Sequence, residues 1–224
     1  QGEILMNVTA HMPKTAAARG KIAPVKFAHI VLRTSNLKRL VDYYQTVLEA
    51  KALFQDKNLA FLTYDDEHHR LAITQMPGLK KVSRRSQGMD HFAFTYASLE
   101  DLLATYERLK SEGITPVWTT NHGPTFSFYY KDPDGNITEL QVDIFENVDE
   151  LENYLNSKNF TTNPIGEDFD PDEIVARFKN GERGETLLKR GPDKPRDMLT
   201  IPLGFLGPFH WVMLRVAGFL KLPH

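Results

Sequence analysis

Phe27-Ala28-His29-Ile30 and Met89-Asp90-His91-Phe92 stand 62 residues apart, and that one offset carries the reading of the fold. The same shift takes Leu37 onto Leu99, Leu40 onto Leu102 and Tyr44 onto Tyr106. A single matching pair would mean nothing. Here a strand, its histidine and the apolar face of the helix behind it repeat together, which is the mark of a duplicated unit.

Each copy reads in the same order. Residues 25–33 form a predicted strand, followed by a helix over about 36–49. Leu37, Leu40, Val41, Tyr44 and Leu48 fall there at helical spacing and face a sheet. In the second copy Ser98 and Asp101 fit a capping box, and Gly113 ends the helix they start. Three short strands follow each helix: 52–55, 59–64 and 70–75 in the first copy, 115–118, 125–131 and 138–143 in the second. Asp132-Pro133-Asp134-Gly135 makes a turn between the last two. The unit is therefore βαβββ, used twice, over 25–76 and 89–145, and the fold class is α+β.

Around these modules the pattern changes. Residues 1–24 lack the long apolar run of a secretory signal and read as a flexible leader. The opening Gln1-Gly2-Glu3 has the look of a cloning remnant, with Met6 as a natural start, and cytoplasm is the default location. Residues 146–224 form an extension. A helical stretch near 149–157 leads to the loop Asn163-Pro164-Ile165-Gly166, and Asp170-Pro171 starts a further helix that closes at Gly181. The apolar tail over 199–222 is interrupted by Pro202, Gly204, Gly207, Pro208 and Arg215, so it falls short of a membrane span. It is expected to pack on the paired modules or on a second copy in a homodimer, because Phe205, Phe209, Trp211 and Leu214 are too apolar to stand free.

Composition excludes several classes. With 27 Lys and Arg against 29 Asp and Glu the net charge is -2, and outside Lys80-Lys81-Val82-Ser83-Arg84-Arg85, read as a solvated loop, the cations are scattered. Nucleic acid is not an expected partner. The chain has no cysteine, which removes disulfides, thiolate metal sites and a thiol nucleophile together.

A lone strand histidine is ordinarily a core residue. His91 at the equivalent place in the second repeat changes that reading for His29, since a pseudo-twofold axis would bring the two strands together. Glu139 adds a carboxylate inside the strand Ile137-Thr138-Glu139-Leu140, where burial demands a partner. Two imidazoles and one carboxylate bind a divalent ion and leave positions open for substrate and oxygen.

At this point the sequence resembles the vicinal-oxygen-chelate superfamily, and within it the extradiol ring-cleavage dioxygenases, over about residues 25–143. The resemblance implies paired βαβββ modules forming a barrel-like sheet. It also implies Fe(II), with Mn(II) or another divalent metal as the alternative, held by His29, His91 and Glu139. His68-His69-Arg70-Leu71-Ala72 resembles the family's His-His-x-x-Ala segment, which implies His69 as acid/base. Ser127-Phe128-Tyr129 resembles the Ser-Phe-Tyr strand whose Tyr hydrogen-bonds substrate. Where many members carry a further active-site histidine, Thr120 stands, with His122 nearby as its substitute. The implied reactants are a small aromatic diol and dioxygen.

Two rivals stand beside this. An isomerase or lyase of the superfamily would need a fourth protein ligand, for which Gln75 is the candidate. A non-catalytic protein binding an aromatic ligand would ordinarily lack the metal ligands that this chain retains.

Overall fold

The computed structural model describes residues 26–84, 86–191, 194–196 and 198–219, with 18, 20 and 24. The leader expected over 1–24 therefore lies almost wholly outside the described residues.

The first module runs β1 (Ile30–Thr34), α1 (Leu37–Leu48), β2 (Lys51–Gln55), β3 (Leu59–Thr63) and β4 (Leu71–Gln75). Asn36 caps α1 by accepting a hydrogen bond from the Arg39 amide, and Glu49 ends it in the left-handed conformation, φ 49°. The second module repeats the order with β5 (Phe92–Thr95), α2 (Leu99–Ser111), β6 (Trp118–Asn121), β7 (Thr125–Lys131) and β8 (Ile137–Asp143). Ser98 caps α2, accepting from the Asp101 amide at 3.1 Å.

Strand order is β1-β4-β3-β2 in one sheet and β5-β8-β7-β6 in the other, the latter extended beyond β6 by a two-residue strand, β9 (Glu167–Asp168). The first and last strands of each module are parallel neighbours, as a helical crossover requires, and the rest are antiparallel. The sheets stay separate rather than closing into one barrel. The strand expected at 115–118 begins later, at Trp118, because Pro116 has no amide to give the ladder. Backbone contact with β7 starts with the Val117 amide donating to the Tyr129 carbonyl at 2.7 Å.

Leu40, Val41 and Tyr44 of α1 bury against Leu62, Leu71 and Ile73 of the first sheet. The core of the second module joins Leu102, Tyr106 and Leu109 of α2 to Phe126, Phe128 and Leu140. Full burial stabilises each large side chain by about 1.5–3 kcal/mol. The two cores share a seam: Tyr43, Leu48 and Phe94 pack against both. Arg108 of α2 reaches across it, donating to the Thr46 carbonyl at 2.6 Å.

The turn after β7 fastens the same seam. Asp132 Oδ1 accepts from the amides of Asp134 and Asn136, closing the turn, and Oδ2 accepts from the Tyr44 hydroxyl at 2.9 Å. Arg39 pairs with Asp134 beside it at 2.5 Å. Tyr44→Phe keeps the ring and deletes the bond to a buried carboxylate, together with the hydroxyl's 3.3 Å contact with Thr138. It is expected to cost about 1.5–3 kcal/mol, read as a melting temperature lower by several degrees. An unchanged melting curve would show that the hydroxyl does not tie the modules.

The extension adds α3 (Val148–Leu155), α4 (Lys158–Thr162), β9 (Glu167–Asp168), α5 (Pro171–Lys179), α6 (Gly184–Leu187), α7 (Leu203–Leu206) and α8 (Pro208–Phe219). Strand β9, not expected from the sequence, extends the second sheet by pairing antiparallel with β6. Ile201 and Phe205 bury against Trp118, Tyr129 and Ile137. In the single chain the tail is buried in part, at Ile201 and Phe205. Phe209 is exposed, and Trp211 is half-buried with Arg215 lying 3.9 Å over its ring. No helix among the described residues is long and apolar enough to cross a membrane.

Candidate active site

Register brings His91 and Glu139 together. Strand β5 runs parallel to β8 with Ala93 opposite Glu139, and His91 precedes the strand by one residue. His91 Nε2 lies 3.1 Å from Glu139 Oε2. On its far side His91 Nδ1 lies 2.8 Å from Asp90 Oδ2, and Arg84 holds Asp90 Oδ1 at 2.5 Å. The Glu139 hydrogen bond raises the His91 pKa above its ordinary value, against burial, with help from Asp90. For Glu139 burial pushes upward, yet His91, Ser127 and Tyr129 together hold the carboxyl below its usual range. Both ring nitrogens of His91 face carboxylate oxygens, and both shifts favour the ion-paired form. In that form the Nε2 proton occupies the place where a cation could sit between nitrogen and oxygen, and metal binding would release it. Asp90 fixes the ring from behind, as a carboxylate commonly does for a metal-bound histidine.

Tyr129 of β7 lies opposite Glu139 in the antiparallel ladder, and its hydroxyl donates to Glu139 Oε1 at 3.0 Å. The same hydroxyl stands 2.7 Å from His122 Nε2. His122 Nδ1 lies 2.6 Å from the Ile165 carbonyl, which must receive a proton from it. Burial lowers the His122 pKa, so the ring is neutral and its Nε2 only accepts. The Tyr129 proton therefore has two acceptors, and burial beside Glu139 raises the pKa of this phenol well above its ordinary value.

The Asn163-Pro164-Ile165-Gly166 loop sets that geometry. Asn163 closes it through both ends of its side chain, to the amide and carbonyl of Gly166. Gly166 has φ +113°, and a Cβ there would lie 2.5 Å from the Asn121 carbonyl oxygen. Phe205 then roofs this half of the site, with ring centroids 4.8 Å from Trp118, 5.1 Å from Tyr129 and 6.5 Å from His91. Phe205→Ala is expected to cost about 3–5 kcal/mol in local packing and to wet the Trp118 indole. In a Trp211→Phe background Trp118 emission should shift to the red. Unshifted emission would mean that the tail does not seal the site.

His29 belongs to a different cluster. Its ring lies 4.3 Å from that of His69 and 6.2 Å from that of His68. His69 stacks on Phe61 at 4.6 Å, and its Nδ1 is 2.6 Å from His68 Nδ1. Burial lowers the His69 pKa, and the two neighbouring imidazoles add to the shift. Asp65 pairs with Arg70, and Glu67 pairs with Lys26 and lies 3.3 Å from His68 Nε2. Arg70 also donates to the Phe27 and Ala28 carbonyls, fixing the approach to His29.

Among the described residues no three His, Asp or Glu side chains gather where a metal ion could sit. His91 meets Glu139 and His29 meets His69, in two separate groups. Gln75, the candidate fourth ligand, is occupied: its Oε1 accepts from the Leu37 amide at 2.6 Å and its Nε2 donates to the Ser35 carbonyl at 2.7 Å. In the first sheet Val31 pairs with Ala72 as Ala93 pairs with Glu139 in the second, so Ala72 holds the place equivalent to Glu139. The sequence offset hid this equivalence, because the last strands are shifted by 67 residues rather than 62. Asp90 and Arg84 were missed as well. A carboxylate adjacent to a candidate ligand was the available signal for the first, whereas Arg84 had been read as part of a solvated loop.

The sequence profile described as "Glyoxalase/Bleomycin resistance protein/Dioxygenase superfamily" matches residues 26–140. Among curated proteins, "Biphenyl-2,3-diol 1,2-dioxygenase 2" of Rhodococcus globerulus is 41% identical over 186 residues, covering 80% of this chain and 98% of its own length. "Biphenyl-2,3-diol 1,2-dioxygenase 3" of the same organism is 39% identical, covering 74% and 88%. A solved glyoxylase/bleomycin resistance protein/dioxygenase domain from Frankia sp. EAN1pec superposes with TM-score 0.45 at 20% identity, over 54% of this chain and 99% of that one. The chain belongs to the glyoxalase/bleomycin resistance/dioxygenase superfamily.

Proposed function

We propose that this chain is an Fe(II)-dependent extradiol dioxygenase that opens a catechol-type aromatic ring with dioxygen. His29, His91 and Glu139 would be the metal ligands, with Mn(II) the alternative ion. The observation that carries the reading is the His91–Glu139 pair, in which a buried carboxylate and an oriented imidazole aim at one point. Its relatives named for biphenyl-2,3-diol support a ring bearing two adjacent hydroxyls.

The donor chemistry fits a divalent ion, since two imidazoles and one carboxylate suit non-haem iron and leave positions open. When bound, Fe(II) supplies the redox-active centre that lets a singlet catechol react with triplet dioxygen. The protein residues do the rest. His69, held neutral by its surroundings, would take a proton from one substrate hydroxyl and return it later as an acid. Tyr129 would donate to the oxygen that gains negative charge, its proton meanwhile kept in place by Glu139 and His122. Trp118 and Phe205 would keep water from the aromatic face of the substrate.

The isomerase reading lacks its fourth ligand, since Ala72 offers no donor and Gln75 caps α1. The test is metal analysis of protein purified without air, followed by oxygen uptake with a series of vicinal diphenols. We expect one iron per site, and one dioxygen consumed per ring opened with both atoms in the product. Iron-loaded protein that consumes no oxygen with any vicinal diphenol would refute the reaction.

A further inference from the structure

We propose that Arg84, clamped by the C-terminal tail, is a positioning residue that acts through Asp90 to aim the His91 imidazole. The inference rests on His91 belonging to the metal set proposed above, and it gives the tail a part in building that set.

His91 stands just before β5, and its side chain is 35% exposed. Packing alone therefore does not choose the orientation of the ring. Asp90, which meets Nδ1, is freer still, with 57% of its side chain exposed. A carboxylate so exposed ordinarily samples several rotamers, and holding one of them costs side-chain entropy. Arg84 removes that freedom. Its Nη1 donates to the Asp90 carbonyl at 2.8 Å and its Nη2 to Asp90 Oδ1 at 2.5 Å, which leaves Oδ2 turned toward His91. One planar guanidinium thus grips the main chain and the side chain of the same residue, a geometry that a lysine ammonium does not reproduce.

Arg84 is the fixed member of the three, with only 17% of its side chain exposed. The loop that carries it is pinned to the second module, where the Val82 amide donates to the Asp134 carbonyl at 2.9 Å. The tail closes on it from the other side. The guanidinium carbon lies 5.0 Å from the centre of the Phe205 ring, and a Cβ at Gly207 would come within 3.7 Å of the Arg84 stem. The cation is attracted to that aromatic face as well as packed against it. Lys131 holds this part of the tail in place, donating to the Gly204 carbonyl at 2.6 Å. Contacts therefore run unbroken from the tail through Arg84 and Asp90 to His91. The first module has half of this arrangement. Arg70 Nη1 donates to the Ala28 carbonyl at 3.1 Å, as Arg84 Nη1 does to that of Asp90, but Ala28 has no carboxylate to offer His29. The grip on a carboxylate is particular to the second module, the one on which the tail packs.

Titration of the metal-free full chain with Co(II), a coloured ion stable to air, tests this without turnover. Arg84→Met keeps the apolar stem and loses the grip on Asp90. It should weaken Co(II) binding by about 10–100-fold, the usual effect of changing a group that orients a ligand, and should alter the visible bands. Arg84→Lys should recover part of the affinity. Asp90→Ala should match Arg84→Met, and the double variant should be no worse than Asp90→Ala alone, because the arginine acts through the carboxylate. Phe205→Leu keeps an apolar roof but removes the ring over the guanidinium. It should weaken Co(II) binding in the unsubstituted chain and have no such effect in an Arg84→Met background. Losses that add in the Arg84→Met, Asp90→Ala double variant would overturn the proposal. So would an Arg84→Met protein that melts lower yet binds Co(II) with unchanged affinity and spectrum, since its arginine would be merely structural. His91→Ala keeps the two readings apart. If it binds Co(II) as tightly as the unsubstituted protein, His91 is no ligand, and the proposal falls with the metal set. If it loses Co(II) while Arg84→Met does not, the metal set stands and the positioning role alone is refuted.

Discussion

Glu139→Ala is expected to yield a folded protein that has lost its metal and its activity. The side chain sits in the middle of β8, 5% exposed, with one oxygen toward His91 and the other accepting from Tyr129. Removing it leaves His91 with Asp90 and leaves the Tyr129 hydroxyl with His122 Nε2 as an acceptor. Neither group becomes a buried orphan, so the stability cost should stay near about 1–3 kcal/mol. The cost to metal binding is larger. Changes to groups that merely orient a ligand already lower metal affinity by about 10–100-fold, and loss of the sole carboxylate in the proposed ligand set should exceed that. Dialysed protein should therefore hold no stoichiometric iron, turnover should fall below detection, and the melting temperature should drop only modestly. Glu139→Gln, which keeps the shape and loses the charge, should fall between. Iron retained by Glu139→Ala at the unsubstituted stoichiometry would remove this residue from the ligand set.

The duplication was legible because it is written locally. Helix caps at Asn36 and Ser98, apolar spacing in both helices, and the Asp132 turn all appear where their chemistry predicts. The strand before β7 was misplaced through a local rule given too little weight, the missing amide of Pro116. The site was legible by halves. Strand parity and the parallel β5–β8 pairing make His91 and Glu139 neighbours, and both follow from the repeat. That Tyr44 and Arg39 dock on the Asp132 turn follows from no pattern in the sequence, because it depends on contacts 88 and 95 residues apart. That seam decides which faces meet, so the separation of His29 from His91 was not readable from spacing. The tail was hidden for a related reason. Composition showed that it was apolar, but not that Ile201 and Phe205 would bury on Trp118 while Phe209 stayed exposed.

His69→Gln should separate chemistry from binding. His69 is placed by stacking on Phe61 and by its contacts with His29 and His68, and it is no member of the proposed metal set. Its pKa is held down by burial and by the two neighbouring imidazoles, so near neutral pH the ring is an unprotonated base. Glutamine has comparable reach and polarity but cannot exchange a proton at that pH. The variant should keep its iron and bind a catechol under anaerobic conditions about as well as the unsubstituted protein. Turnover should fall by about two to four orders of magnitude, the usual contribution of a positioned proton-transfer group. The loss should appear in kcat and kcat/KM alike, because the interaction removed belongs to the transition state. His68→Gln is the control. That ring shares a short Nδ1–Nδ1 contact with His69 but projects into solvent, with two-thirds of its side chain exposed. It should cost far less if His69 moves the proton. Equal losses in the two variants would assign the proton to the pair, and unimpaired turnover in His69→Gln would exclude this histidine as the acid/base.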